Sequence, residues 1–296
     1  MVNPRRAGAV AAVLAALVAL AGCSALDGPE PAAPTPTATL PVTHGEYYYP
    51  SADGNTFGID GCVPQTAAPS PVVVLVHGGS FTSGSKADLA DLCDVFAQQG
   101  FAVFSLDYRV VPWGIYPTQV EDVSGAIQWL AAPEQSAALG IDSSRMAVVG
   151  FSAGAVISAQ TLTAAQPASA VSALRGVVLV SGAYDFRAPR DELGRELEST
   201  LLDYLGCTRL STCAPLDEAS PVERDLRALP PVLLVHSADD YVPISQAETF
   251  RSALEKAGVD NRLVVVPGSD HADVILRNSP DQVTTVVDFL RSVLVG

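Results

Sequence analysis

Residues 146–154 read MAVVGFSAG, a short apolar run that leads into Gly150-Phe151-Ser152-Ala153-Gly154. The run from Met146 to Gly150 predicts a strand, and the segment from Ala153 to about Ala165 predicts a helix. A G-x-S-x-G pattern between a strand and a helix is typical of a sharp turn that raises a serine hydroxyl above a sheet. The free N–H groups of the helix N-terminus then point at the reaction centre. Ser152 is therefore a candidate nucleophile; the alternative is a Gly-rich connection with an incidental serine.

Apolar runs and helical patterns alternate from residue 71 onward, which predicts a mostly parallel sheet flanked by helices. Residues 43–60 are less regular and are expected to supply one or two antiparallel edge strands. The segment 182–230 is too long for a simple connection, and its length predicts a helical insertion that crosses the sheet edge, called the excursion below. The predicted strands are 72–76, 101–106, 146–150, 176–180, 231–236 and 263–266, and the predicted helices are 86–99, 118–132, 153–165, 244–257 and 280–294.

A second glycine-containing stretch, His77-Gly78-Gly79-Ser80-Phe81, follows the buried strand VVVLV. Acyl transfer passes through a tetrahedral oxyanion, which needs converging N–H donors. Glycines allow the backbone to approach closely enough to supply them. The stretch is thus a candidate oxyanion loop, although each glycine taken alone also fits a tight turn.

The two stretches together resemble the α/β-hydrolase superfamily, and specifically carboxylesterases with an HGG-type loop, over residues 71–296. The resemblance implies the α/β-hydrolase fold, with 182–230 as a small helical, lid-like insertion. It also implies a two-step acyl transfer on Ser152 that needs no metal or organic cofactor. The oxyanion donors implied by the resemblance are the N–H groups of Gly79, Ser80 and Ala153, with Ser80 standing where many relatives carry a third glycine.

The general base is sought among the four histidines. In this superfamily the partners follow the serine in the order Ser, acid, His. His44 and His77 precede Ser152, and His236 precedes the candidate acids. His271, in a loop after the last predicted strand, is therefore the candidate base.

The acid holds the imidazole in one tautomer and stabilises it when it is charged. Related hydrolases with a D-x-x-V-P or D-D-x-V arrangement place the acid at the first aspartate, which implies Asp239. Asp240 is the close alternative, and Asp185 is a more distant one. Asp270, beside His271, is expected to be solvated or to cap its loop.

Other residues have less specific interpretations. The aromatic residues that are candidates for a substrate pocket, or else for plain core, are Phe81, Trp113, Tyr116 and Tyr184. The family-like residues expected to support the oxyanion loop are Asp107-Tyr108-Arg109, Tyr116-Pro117 and Asp122.

The N-terminus has the pattern of an export signal. Two arginines at positions 5 and 6 precede an apolar stretch over residues 7–21, which is too short for a permanent anchor. The following Leu20-Ala21-Gly22-Cys23 resembles a bacterial lipobox, which implies cleavage of residues 1–22 and a diacylglycerol on Cys23. An ordinary secretory signal that contains a cysteine is the alternative. Residues 23–44 are rich in proline and predict a tether, with the hydrolase domain at 45–296.

The remaining cysteines, Cys62, Cys93, Cys207 and Cys213, form an even set, which predicts two disulfides in an exported chain. Four cysteines allow three pairings. The short loop CTRLSTC favours Cys207–Cys213, which leaves Cys62–Cys93. A metal site is disfavoured because the sequence has no CxxC pair.

Composition narrows the functional class. The chain has 296 residues, of which 48% are hydrophobic and 17% charged, so it can bury a core and is not a disordered protein. Its net charge of −15 repels phosphate backbones and anionic lipid, which disfavours nucleic acid and limits membrane contact to the lipid anchor. The expected substrate is a small-molecule or lipid ester outside the cytoplasm. A serine peptidase or amidase, and a non-catalytic binding lipoprotein, are the alternatives.

Overall fold

The computed structural model describes residues 39–164 and 168–296. The predicted signal peptide, Cys23 and most of the predicted tether lie outside the described residues. The first strand begins at Val42, so residues 42–44 belong to the folded domain rather than to the tether, and the domain begins before the predicted boundary at Gly45.

Eight strands of the described residues form a single sheet. In chain order they are β1 (Val42–Pro50), β2 (Thr56–Pro64), β3 (Ser70–Val76), β4 (Ala102–Leu106), β5 (Ile141–Phe151), β6 (Gly176–Val180), β7 (Val232–Ser237) and β8 (Asn261–Val266). Their spatial order is β1-β2-β4-β3-β5-β6-β7-β8. Strand β2 runs antiparallel to both β1 and β4, whereas the other neighbouring pairs are parallel. The mostly parallel sheet with antiparallel strands at the N-terminal edge is confirmed.

Ten α-helices flank this sheet within the described residues. They are α1 (Ala90–Ala97), α2 (Thr118–Ala131), α3 (Pro133–Leu139), α4 (Ala153–Leu162), α5 (Ser169–Ser172), α6 (Arg190–Leu205), α7 (Leu216–Ala219), α8 (Ile244–Ala257), α9 (Asp273–Asn278) and α10 (Pro280–Leu294). The predicted helix over 86–99 is divided into a 3-10 turn, Lys86–Leu89, and α1. Helices α3, α5 and α9, which are short, were not predicted from the sequence.

The core occupies both faces of the sheet, as the continuous apolar run of β3 predicts. Val72, Val74 and Val76 pack into one cluster, and Val73 and Leu75 pack into the other. All five are fully buried because successive side chains of a strand point to opposite faces.

The strand order creates the position of the functional site. From β3 the chain moves to one side to form β4 and then returns to form β5 on the other side of β3. Ligands of open α/β sheets bind at such a point, beyond the carboxyl ends of the strands. Val76 of β3 is in register with Gly150 of β5, so the HGG stretch and the serine turn leave the sheet side by side.

The predicted excursion contains α6 and α7. The C-terminal half of α6 is anchored in the core by Leu201, Tyr204 and Leu205. A disulfide between Cys207 and Cys213 closes a loop directly after this helix. The second disulfide joins Cys62 of β2 to Cys93 of α1. These are the pairs that the sequence favours.

Within residues 39–164 and 168–296, none of the helices combines the length and the apolar character needed to cross a bilayer.

Candidate active site

The serine turn has the backbone that its sequence predicts. Ser152 lies between β5 and α4 with φ 52°, a positive value that is strained for a residue with a side chain. A Cβ on Gly154 would overlap the carbonyl oxygens of Val76 and His77, and the hydroxyl of Ser158 leaves no space for one on Gly150. Close packing of the turn against β3 and α4 therefore requires both glycines of the G-x-S-x-G pattern.

Three side chains that are distant in the sequence form a continuous hydrogen-bonded series. The Nε2 atom of His271 lies 2.7 Å from Ser152 Oγ. On the other side of the ring, His271 Nδ1 lies 2.8 Å from Asp240 Oδ1 and 2.9 Å from Oδ2. Because a carboxylate only accepts, Nδ1–H donates to Asp240 and Nε2 is free to accept the serine proton. The structure thus brings Ser152 and His271 together.

The acid in this series is Asp240, and the prediction of Asp239 is wrong by one residue. Asp239 is exposed, and its N–H donates to the carbonyl of Gly268. The side chain of Asp240 is fully buried and accepts a bond of 3.0 Å from the N–H of Val242, two residues on. This Asx-type turn directs the second aspartate inward and the first outward.

The other acids of the sequence analysis lie elsewhere. Asp185 accepts a hydrogen bond from the N–H of Arg187. Asp270 accepts one from the side-chain amide of Asn278 at the end of α9.

Asp240 is held in its charged form. Burial raises the pKa of this carboxyl, but hydrogen bonding and charge interaction with His271, together with bonds from Ser181 and the Val242 N–H, outweigh burial. The net result is a pKa below the usual value for aspartate. A charged acid beside Nδ1 is the arrangement that stabilises an imidazolium in a Ser-His-Asp triad.

The loop carrying His271 is fixed by hydroxyl groups. The N–H of Ala272 donates to Ser181 Oγ at 3.1 Å, and the Ser237 hydroxyl donates to the carbonyl of Asp270 at 2.6 Å. His236, one residue before Ser237, donates from Nε2 to the carbonyl of Val242 at 2.8 Å and thereby fixes the segment that follows Asp240. Burial lowers the pKa of His236, so it serves this purpose as a neutral ring.

The HGG stretch forms a tight turn against the serine. Gly79, Ser80 and Phe81 all have positive φ angles, and the carbonyl of Gly79 accepts the N–H groups of Thr82 and Ser83. A Cβ on Gly78 would lie 3.0 Å from the Cβ of Ser152. This close approach is what the glycine permits.

The three predicted oxyanion donors are not used by the fold. Within the described part of the chain, the N–H groups of Gly79, Ser80 and Ala153 donate to no backbone carbonyl. Ser80, Ser152 and Ala153 line the same cavity. Free N–H groups beside a nucleophile are the feature that oxyanion stabilisation requires.

Among the family-like residues, Tyr108 contacts the strand end from which this loop leaves the sheet. The Tyr108 hydroxyl donates to the carbonyl of His77 at 2.7 Å, and the two rings stack with centroids 4.2 Å apart. Burial lowers the pKa of His77, and its Nδ1–H donates to the carbonyl of Gly78. Arg109 donates three hydrogen bonds to the buried carboxylate of Asp122, one from its backbone N–H and two from its guanidinium. His77 is thus a neutral structural residue.

Two cavities meet at Ser152. One is narrow, about 30 Å³, and mainly apolar, with walls that include Phe81, Val156 and Leu197. The other is an open polar cleft of about 490 Å³. His271 lines only the open cleft, whereas Tyr241 lines both cavities. Tyr241 was not among the predicted site residues; in the sequence it is marked solely by its position directly after the aspartate pair.

The aromatic residues that were predicted as pocket candidates lie in different places in the structure. Phe81 lines the narrow cavity and stacks on Tyr204 of α6 at 3.9 Å. Tyr116 also packs against Tyr204, and Tyr184 is buried against Phe250, so both are core residues. Trp113 is 81% exposed and does not line either cavity at Ser152.

A potential metal-ligand trio lies far from the serine in the sequence. Among the described residues, His44, Cys62 and Asp94 place ligand atoms within 4.8 Å of one another. Because Cys62 is bonded to Cys93, its sulfur is not available as a thiolate ligand.

Comparison with known proteins adds a family. The BD-FAE family model matches residues 61–254. The chain is 31% identical over 225 residues to the probable isoprenylcysteine alpha-carbonyl methylesterase ICME of Oryza sativa subsp. japonica, a match that covers 71% of this chain and 53% of that protein. It is 30% identical over 237 residues to the ethyl acetate hydrolase of Pseudomonas putida, with 74% and 72% covered. The matches to the methylesterase and to esterase LipC of Mycobacterium tuberculosis each span about half the length of those relatives.

Solved structures agree with this result. An esterase from Pyrobaculum calidifontis superposes with a TM-score of 0.71 at 26% identity, covering 86% of each chain. The carboxylesterase EstE1, from a metagenomic library, superposes with a TM-score of 0.72 at 24% identity and shows the fold alone.

Proposed function

This chain belongs to the BD-FAE family, and with its esterase relatives to the carboxylesterases of the α/β-hydrolase superfamily, and we propose that it hydrolyses carboxylic esters by a Ser-His-Asp mechanism. One observation carries the proposal. Ser152 Oγ, the His271 ring and the Asp240 carboxylate form an unbroken series with contacts of 2.7 and 2.8 Å. This geometry is that of a nucleophile, its base and the group that orients the base.

The first half of the reaction forms an acyl-enzyme. His271 takes the proton of Ser152 through Nε2 as Oγ attacks the ester carbonyl carbon. The carbonyl oxygen becomes an oxyanion that accepts hydrogen bonds from the N–H groups of Gly79, Ser80 and Ala153. The imidazolium, stabilised by Asp240, then gives its proton to the leaving alkoxide as the carbon–oxygen bond breaks.

The second half repeats these steps with water. His271 takes a proton from a water molecule, whose oxygen attacks the acyl carbon. The second tetrahedral oxyanion collapses, Ser152 recovers its proton from His271, and the acid is released. Side chains of the chain itself perform every proton transfer.

The two cavities bind different parts of the ester. A leaving alkoxide must lie beside His271 to receive its proton, so the alcohol part belongs in the open cleft that His271 lines. The acyl part then enters the narrow cavity. A cavity of about 30 Å³ accommodates roughly two non-hydrogen atoms, since a cavity needs about 10–15 Å³ to hold one water molecule. The proposed substrates are therefore esters of short acids with larger, polar alcohols.

Replacement of the nucleophile tests this function. Ser152→Ala is expected to abolish turnover of a short acyl ester such as 4-nitrophenyl acetate. Ser252→Ala is the matched control, because Ser252 is an exposed helical serine that bonds only within α8. An aminoacyl amide assayed in parallel distinguishes an esterase from the peptidase alternative. Ester turnover that survives in Ser152→Ala would refute the mechanism.

The location is a further part of this proposal. The basic and apolar N-terminal stretch followed by Leu20-Ala21-Gly22-Cys23 supports export and lipid attachment at Cys23 to the outer face of a bacterial membrane. The two disulfides also support an oxidising compartment. Cys23→Ser expressed in a bacterial host is expected to move the protein from the membrane fraction and to prevent metabolic labelling with palmitate. Continued labelling would contradict lipid attachment at Cys23.

A further inference from the structure

Tyr241 contacts the atom of His271 that takes part in proton transfer. Its hydroxyl lies 3.1 Å from His271 Nε2, the same nitrogen that lies 2.7 Å from Ser152 Oγ. A neutral imidazole has a single acceptor lone pair at this nitrogen when Nδ1 carries the hydrogen. The hydroxyls of Tyr241 and Ser152 therefore compete for one acceptor.

The same hydroxyl is also close to the other groups that handle the substrate. Burial raises the pKa of Tyr241, while interactions of its hydroxyl with those of Ser152 and Ser80 act in the opposite direction. Tyr241, Ser80 and Ser152 all line both cavities. The phenol thus stands at the junction of the narrow cavity and the open cleft, beside the nucleophile and the oxyanion loop.

That junction is where a leaving group has to be. Its oxygen is bonded to the carbon that Ser152 attacks, and it must come within hydrogen-bond reach of His271 Nε2 to be protonated. Two oxygens cannot occupy this place together. The Tyr241 hydroxyl has to withdraw before an ester adopts its reactive position.

The surroundings of Tyr241 allow such a withdrawal. The residue is 56% exposed and lies in the loop between β7 and α8, with its ring centroid 4.3 Å from that of His271. Exposed side chains change rotamer on a timescale of picoseconds to nanoseconds, far faster than a turnover. Rotation about the Cα–Cβ bond would uncover His271 from the side of the open cleft.

We propose that Tyr241 is a specificity-determining gate: its hydroxyl holds the place of the leaving-group oxygen in the resting enzyme, and its ring limits the alcohols that can displace it. This inference rests on the proposed ester hydrolysis and extends it to selection of the alcohol. Displacement of the hydroxyl costs the same binding free energy for every ester. Displacement of the ring costs more binding free energy as the alcohol becomes larger.

Two variants separate the two contributions. Tyr241→Phe removes the competing hydrogen bond and keeps the ring, so kcat/KM is expected to rise about two- to ten-fold for all acetates, mainly through a lower KM. Tyr241→Ala also removes the ring, so the ratio of kcat/KM for a bulky secondary-alcohol acetate to that for ethyl acetate is expected to rise about tenfold. The ratio is expected to remain at the wild-type value in Tyr241→Phe.

The matched control is Tyr48→Phe, which removes the hydroxyl of a tyrosine of β1 that is equally exposed, at 57%. It is expected to leave both constants unchanged. A lower kcat with unchanged KM in Tyr241→Phe would overturn the inference, because the hydroxyl would then act in the transition state. A selectivity ratio that is the same in Tyr241→Ala and the wild type would also overturn it.

Failure of this inference differs from failure of the proposed function. If Ser152→Ala abolishes ester turnover and the Tyr241 variants behave like wild type, the gate is refuted and the esterase mechanism stands. If ester turnover persists in Ser152→Ala, the proposed esterase mechanism is refuted, and the gate that rests on it is refuted as well.

Discussion

The carboxylate of Asp240 bonds both to the ring of His271 and to the N–H of Val242, while its neighbour Asp239 faces solvent. Asp240→Asn is therefore expected to lower kcat by about 10⁴-fold, because an amide at this position favours the wrong tautomer of His271. Asp239→Asn is expected to stay within about twofold of wild type. Steady-state kinetics with one acetate ester checks both variants. Equal losses in the two would contradict the assignment of the acid.

The narrow cavity makes acyl length a test of the substrate orientation. Wild-type protein is expected to prefer an acetate to the hexanoate of the same alcohol by at least about tenfold in kcat/KM, a typical value for added methylenes that a pocket cannot accept. Leu197→Ala enlarges the cavity from α6 and is expected to remove most of this preference. Leu202→Ala, on the same helix but away from both cavities, is the control and should keep it. Unchanged acyl preference in Leu197→Ala would contradict placement of the acyl chain in this cavity.

The packing of the serine turn makes a stability prediction. Gly154→Ala forces a methyl group into backbone carbonyls and is expected to lower the free energy of unfolding by about 2–3 kcal/mol. Gly125→Ala, in the interior of α2, meets its nearest atom at 3.6 Å and is expected to raise it by about 0.5–1 kcal/mol. Denaturant unfolding measures both changes. A stable Gly154→Ala protein would show that the turn is less tightly packed than described.

Buried neutral histidine makes stability depend on pH. Burial lowers the pKa of His236 in the folded protein below the ordinary value of 6.5, so the unfolded chain binds its proton more readily. The contribution of neutral His236 to the free energy of unfolding is complete above about pH 6.5. It is lost as the pH falls toward the pKa of His236 in the folded protein, by up to about 1.4 kcal/mol per pH unit. His236→Gln is expected to show a shallower decline than wild type between pH 7 and 5 in denaturant unfolding, with His77 accounting for part of what remains. Identical slopes would contradict a neutral His236.

Much of the site could be predicted because short local patterns carry it. The strand–turn–helix context of Ser152 requires glycines at fixed positions, and the clashes at Gly150 and Gly154 show why. The candidate base followed from the order of a few residues along the chain, and the structure places His271 beside Ser152. The apolar runs predicted the strands because burial on both faces favours apolar side chains at nearly every position.

The remainder could not be predicted because it depends on distant segments. Tyr241 was missed since its importance comes from the position of His271, thirty residues away in the sequence. The narrow cavity is closed by Leu197 of α6, which no pattern around Ser152 indicates. Short helices such as α3 and α9 contain too few turns to show a clear period.

The sequence by itself determined the layered architecture, the candidate nucleophile and the candidate base, because strand periodicity and the steric demands of a tight turn depend on neighbouring residues. Only the tertiary structure decided between Asp239 and Asp240 and placed Tyr241 at the junction of two cavities. The side chains of consecutive residues in this turn point in opposite directions. Which of the two aspartates bonds to the imidazole depends on how the parallel pairing of β7 and β8 places the loops that follow them.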